Sequence, residues 1–162
     1  MATTPVKSSE FIISKAVSNM VIALLQSAII FAVSLAIGYS PATGPGGLAF
    51  AFLIVAVFSL TCVGFGLITA VVSNSADVAT GVSFIFIMPQ MFFGTFMELG
   101  GVTESLGTFM PSNYVTDALR TLFLRGAPLT TITIWVDLLV VMIVSAVVLG
   151  VGILLFARRG RR

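Results

Sequence analysis

The chain has 162 residues, 58% of them hydrophobic and only 9% charged, with a mean hydropathy of +1.16 and a formal net charge of +2. The length fits one domain, but so little charge excludes a soluble globular surface, and spans of this kind find their apolar solvent in a bilayer. The small net charge gives no reason to expect a nucleic-acid partner, the lack of histidine removes the commonest general base and metal ligand, and the single cysteine, Cys62, excludes an internal disulfide.

The chain opens on "MATTPVKSSEFIISK", polar for too long to be a secretory signal peptide and followed by no small-residue cleavage pattern. Residues 1–16 are expected to be a cytoplasmic lead-in, with Thr4 capping a short helix and Pro5 at its first position. Between Lys15 and Asp77 lie 61 residues without a single Asp, Glu, Lys or Arg. A helix of about 20 residues, rising ~1.5 Å per residue, crosses the ~30 Å hydrocarbon layer. Four segments reach that length, at about 17–39, 48–72, 78–97 and 134–157, within a membrane domain at 17–157.

In the first segment Asn19, Gln26, Ser27 and Ser34 recur at seven- and eight-residue steps and so share one helical face. Polar groups are costly against lipid, so this stripe is expected to face either other helices or a water-filled translocation path. "SPATGPGG" at 40–47 is a Pro/Gly turn. Gly64 and Gly66 in the second segment, and Ala146-x-x-x-Gly150 in the fourth, read as close-packing surfaces. A second short turn carries Asn74, Ser75 and Asp77, where Asn74 as a cap and Asp77 in the first helical turn suit the start of the third segment. Phe84, Phe86, Phe92, Phe93 and Phe96 either line an apolar path or face lipid. Pro89, Gly94 and the pair Gly100-Gly101 are expected to break this third segment.

The connection from 98 to 133 is the longest, and within it "MPSNYVTDALRTLFLRG" carries a short helix at about 112–125. Val115, Ala118, Leu119, Leu122 and Phe123 follow the i, i+3, i+4, i+7, i+8 spacing of one face, opposite Asp117, Arg120 and Thr121. Ser112 or Asn113 is the expected N-cap, and Arg125-Gly126 the C-terminal signal. At about three turns the helix is too short to cross, so it is expected to lie in the outer interface or to re-enter the membrane. Asp137, next to the interfacial anchor Trp135, is expected to be solvated or paired with Arg120 or Arg125.

Six of the eight basic residues flank the outermost segments: Lys7 and Lys15 before the first, and Arg158, Arg159, Arg161 and Arg162 after the fourth in a basic tail at 158–162. The positive-inside rule then puts both termini in the cytoplasm, and the long connection outside, of a multi-pass plasma-membrane protein. The fold class expected is an all-α membrane protein with four transmembrane helices and an outer re-entrant or amphipathic helix before the last.

No catalytic constellation and no metal site emerges. There is no histidine, no "GxxxxGK" phosphate loop and no pair of intramembrane carboxylates. The chain is therefore not expected to be an enzyme or to bind ATP or another cofactor itself. The other reading is a stand-alone four-span protein, a small exporter or a structural or assembly subunit, although a proton-coupled exporter normally carries a mid-bilayer carboxylate.

The order of these features resembles the C-terminal two-thirds of a type-2 ABC exporter permease, the membrane half of ATP-driven drug, lipid and polysaccharide exporters. The resemblance is carried by Thr4-Pro5-Val6, Glu10, Ile12 or Ile13 and Lys15 before the first segment. Further along it rests on Met88-Pro89, Gly94 and Glu98, and on Pro111, Tyr114, Asp117-Ala118-Leu119-Arg120 and Gly126 before the last. It implies that Glu10, Phe11 and Lys15 belong to a coupling segment docking on an ABC ATP-binding subunit, with Asn74, Ser75 and Asp77 as a second contact. It also implies that Pro111, Tyr114, Asp117 and Arg120 belong to an outer cap. The family has six spans where this chain has four. The resemblance thus implies a truncated product, a fragment or a split permease, with partners that include the missing N-terminal spans or a second permease copy.

Overall fold

The computed structural model describes residues 8–41, 43–95 and 107–159. These hold five helices and no strand: α1 (Ser8–Ala36), α2 (Gly44–Val72), α3 (Ala76–Thr95), α4 (Pro111–Phe123) and α5 (Ile132–Arg159). All but α4 are long and apolar enough to cross a membrane, which is the all-helical, four-span architecture expected from the apolar runs. Thr4, Pro5, Lys7, Phe96, Glu98, Gly100, Gly101, Arg161 and Arg162 lie outside the described residues, as does the side chain of Arg159.

Three element boundaries differ from the expectation. The lead-in is not a separate helix: α1 runs unbroken from Ser8 through Lys15, because no glycine or proline interrupts 8–36 and a polar first turn is tolerated at a helix end. Nor does Pro89 break α3, which continues to Thr95 with the proline inside it. Pro89 removes one donor, but the flanking turns hold the remaining ladder, as transmembrane helices commonly allow. At the α2–α3 turn Asn74 is not the cap; the Val78 N–H donates to Ser75 Oγ at 3.3 Å, so Ser75 closes the first turn of α3.

The bundle is organised around α2, which touches every other helix. One apolar cluster joins Ala51 and Ile54 of α2, Val115, Ala118 and Leu122 of α4, and Ile134, Leu138 and Val141 of α5. A second joins Ile12 of α1, Val63 and Leu67 of α2, and the partly buried Leu149 and Phe156 of α5. The start of α1, the end of α2 and the end of α5 therefore gather at one end of the bundle, and α4 sits towards the other. Tyr39 and Phe31 reinforce the α4 end: the Tyr39 hydroxyl donates to the Phe123 carbonyl at 2.6 Å, and Phe31 packs on Phe52 and Phe123.

The α2–α5 contact is the tightest. A Cβ added at Gly64 would lie 2.8 Å from the Leu149 backbone nitrogen, and one at Gly152 would lie 2.9 Å from the Gly64 carbonyl oxygen. Such approach lets backbones and side chains pack closely, which in lipid replaces the missing hydrophobic drive between helices. The expected small-residue surfaces need correcting here: Gly64 is in the seam, but Gly66 and Gly150 have open space beside them and Ala146 is exposed. Gly152, two residues further along, is the true partner. Along the same seam Ser145 Oγ donates to the Val57 carbonyl at 3.1 Å. Its one proton is thereby engaged, so Thr61 is the donor in the buried 2.6 Å Thr61–Ser145 hydrogen bond.

Candidate functional site

The short helix α4 explains how the site is built. It has the sequence pattern of a surface helix, yet it is wedged against α2, α3 and α5. Val115, Ala118 and Leu122 are buried on the expected face, and Gly126, at φ 61°, lets the chain leave the helix. The N-terminus is capped otherwise than expected. Met110 is the N-cap and makes no side-chain bond, Pro111 opens the helix, and Ser112 and Asn113 are buried within the first turn. The donor that Ser112 needs satisfied reaches across to α3: its backbone N–H donates to Gln90 Oε1 at 3.1 Å. Gln90 thus does from a neighbouring span what an N-cap side chain does locally. Gly94, one turn on, lets α4 approach; a Cβ there would meet Ser112 Cβ at 3.2 Å.

Beneath this contact, between α2 and α3, lies a cavity of about 440 Å³. Phe58, Cys62, Phe65 and Gly66 form its α2 wall, Phe86, Ile87 and Met91 much of its α3 wall, and Ser112 closes the α4 end. Phe65 and Phe86 are stacked, with ring centroids 4.9 Å apart. Ser112 Oγ is buried and has no hydrogen-bond partner. Among the described residues, none lining the cavity is charged.

The residues singled out from the sequence fall elsewhere. Asn19, Ser27 and Ser34 are half-buried and Gln26 is exposed; none lines the cavity. Ser27 Oγ donates to the Ala23 carbonyl and Ser34 Oγ to the Ile30 carbonyl, each at 2.8 Å, so both hydroxyls are satisfied within α1. Of the phenylalanines, Phe86 lines the cavity, whereas Phe84 and Phe92 are exposed on α3. Thr121, expected on the polar side of α4, is buried and accepts from Arg125 Nη1 at 3.3 Å, because α4 has neighbours around more than one face.

Asp137 is neither solvated nor paired with Arg125. It is 5% exposed, its Oδ2 has no hydrogen-bond partner, and Arg125 pairs instead with Asp117 at 3.7 Å. Its depth follows from α5 starting at Ile132, which puts Asp137 more than a full turn into the helix, beside buried Ile134 and Leu138. Trp135 is exposed as an interfacial anchor should be, donating Nε1–H to the Leu129 carbonyl at 2.8 Å and packing edge-on against Phe50. Tyr114 donates to the Thr108 carbonyl at 2.8 Å, tying α4 to the loop before it. Glu10, Lys15, Asn74, Ser75 and Asp77 are exposed, and Phe11 lies in α1. Cys62, Gln90 and Ser112 were not singled out as lining a site; only the pairing of α2 with α3 brings them together.

The described residues thus hold four helices long and apolar enough to cross a membrane, with a short helix wedged in before the last. The chain belongs to the ABC-2 type transporter family, whose model matches residues 1–124. It is similar to the probable multidrug ABC transporter permease YbhR of Escherichia coli (strain K12), at 24% identity over 164 residues, covering 98% of this chain and 43% of that protein. The match to YbhR of Escherichia coli O157:H7 has the same extent and identity. The chain thus spans less than half the length of the curated relatives it matches. No solved structure gives a significant match.

Proposed function

We propose that this chain supplies the last four spans of the membrane domain of an ATP-driven exporter, energised by a separate ABC ATP-binding subunit and itself devoid of ATPase activity. The observation that carries the reading is a polar surface at one end of the bundle. Exposed Glu10 and Lys15 near the start of α1, and exposed Asn74, Ser75 and Asp77 in the α2–α3 turn, lie at the end where α5 delivers Arg158. In this reading that end is cytoplasmic, since it carries the excess of Lys and Arg. The two polar segments, with Phe11, then form the docking surface for the ATPase. Pro111, Tyr114, Asp117 and Arg120 of α4 belong to the opposite, outer cap.

The direction is export, and the cargo is a drug, in keeping with the multidrug permease named for the YbhR relatives. The working unit is a dimer of complete membrane domains, with N-terminal spans covering the outward faces of α1 and α3, where Ile29, Ile30 and Ile85 are exposed. The test is co-purification with candidate ATP-binding subunits, with the N-terminal spans supplied. The combined Glu10→Ala and Lys15→Ala variant is expected to weaken association by at least about tenfold, the ~1.4 kcal/mol typical of an interface residue that matters. Failure of any such subunit to associate with the complete assembly overturns the proposal.

A further inference from the structure

The cavity between α2 and α3 has a chemistry of its own. Its volume of about 440 Å³ falls in the range of small-molecule sites. From Phe58, beside the α4 cluster, to Thr69 the α2 wall runs eleven residues, roughly 16 Å along a helix. The long walls are aromatic and aliphatic, with Cys62 and Gly66 midway along α2. Polarity is confined to the ends. Thr69 and Ser83 line the end away from α4, and Gln90 and Ser112 the end beneath it.

Two features restrict what fits. No charged side chain among the described residues lines the cavity, and a formal charge brought against these walls would be desolvated without a counter-charge from them. The Ser112 hydroxyl is 8% exposed as a residue, with its Oγ buried and unbonded. A buried hydroxyl without a partner costs free energy until something bonds it. Gln90 Oε1 is already held by the Ser112 backbone N–H, so the hydroxyl is the unsatisfied group at this end.

We propose that the α2–α3 cleft binds a neutral single-chain amphiphile, with an uncharged hydrogen-bonding head on Ser112 Oγ and its apolar body along Cys62 and the Phe65–Phe86 pair. The cleft selects against cationic and anionic amphiphiles of the same chain length. Calling the occupant a cargo rests on the transport reading, but its binding is measured without transport, so either idea can fail alone.

The single cysteine makes the site its own reporter. The chain in lipid nanodiscs is alkylated with N-ethylmaleimide, and the rate at Cys62 is followed by mass spectrometry with 1-octanol, octylammonium or octanoate at matched membrane concentrations. Octanol is expected to slow alkylation about fivefold, the discrimination that one hydrogen bond gives, while the charged probes leave it near the probe-free rate. Ser112→Ala should bring octanol down to the level of the charged probes. Gly66→Leu, which places a side chain where a Cβ meets nothing within 4 Å, should abolish protection while the circular dichroism spectrum stays helical. A Cys62→Ser, Ile30→Cys chain, with its cysteine on the exposed face of α1, should show no protection. Equal protection by octylammonium and octanol overturns the proposal, as does octanol protection that survives Gly66→Leu. A Cys62 that fails to react without any probe overturns it too, because another helix then fills the cleft.

Discussion

At the residue scale, two buried polar groups behave oppositely. Thr61 donates to Ser145, which donates to the Val57 carbonyl, so removing the Ser145 hydroxyl strands the Thr61 donor and removing the Thr61 hydroxyl costs the shared bond. Thr61→Val and Ser145→Ala are each expected to destabilise the bundle by about 0.5–1.5 kcal/mol, with a double-mutant coupling near ~0.6 kcal/mol as for other interhelical bonds in membranes. Denaturant titration in detergent gives both numbers, and additive single effects would contradict the shared bond. Asp137 is the reverse case, a buried carboxylate with one unbonded oxygen. Asp137→Asn removes the risk of an uncompensated charge and is expected to leave the melting temperature unchanged or to raise it. A clear fall would reveal a counter-charge paired with the carboxylate. The Asp117–Arg125 pair, mostly solvent-exposed, is expected to contribute at most about 1 kcal/mol, so Arg125→Ala should move the melting temperature little.

At the scale of elements, α4 and the α2–α5 seam carry the argument. The α4 helix was legible from sequence because Val115, Ala118 and Leu122 repeat at helical spacing and Gly126 follows. Its cap was not legible, because the partner, Gln90, lies 22 residues away on another helix. The same holds for the seam. Gly64 is one of several glycines with identical local chemistry, and only the crossing of α5 decides that it, rather than Gly66, is crowded. Span number was readable because hydropathy is local; the cleft was not, because its walls come from two helices. Gly64→Leu is therefore expected to destabilise by about 1–3 kcal/mol through overpacking, and Gly66→Ala to stay within about 0.5 kcal/mol of the parent. Gln90→Leu leaves the Ser112 N–H unpaired and should loosen α4 by about 1–2 kcal/mol, seen as faster hydrogen exchange across Pro111–Phe123 with α5 unaffected.

At the scale of the whole molecule, four apolar helices and one short wedge define a body with two unlike ends. One gathers the start of α1, the α2–α3 turn and the end of α5; the other holds α4 and the loop to α5. A motor docked at the first end and a cap at the second require these ends to face opposite sides of the membrane. The most direct test replaces Cys62 with serine and places single cysteines at Glu10, Asp77 and exposed Thr130, labelled with a membrane-impermeant maleimide in sealed vesicles of known orientation. The account predicts that Glu10→Cys and Asp77→Cys react only from the cytoplasmic face and Thr130→Cys only from the outer face. Labelling of Asp77→Cys and Thr130→Cys from the same side would contradict it.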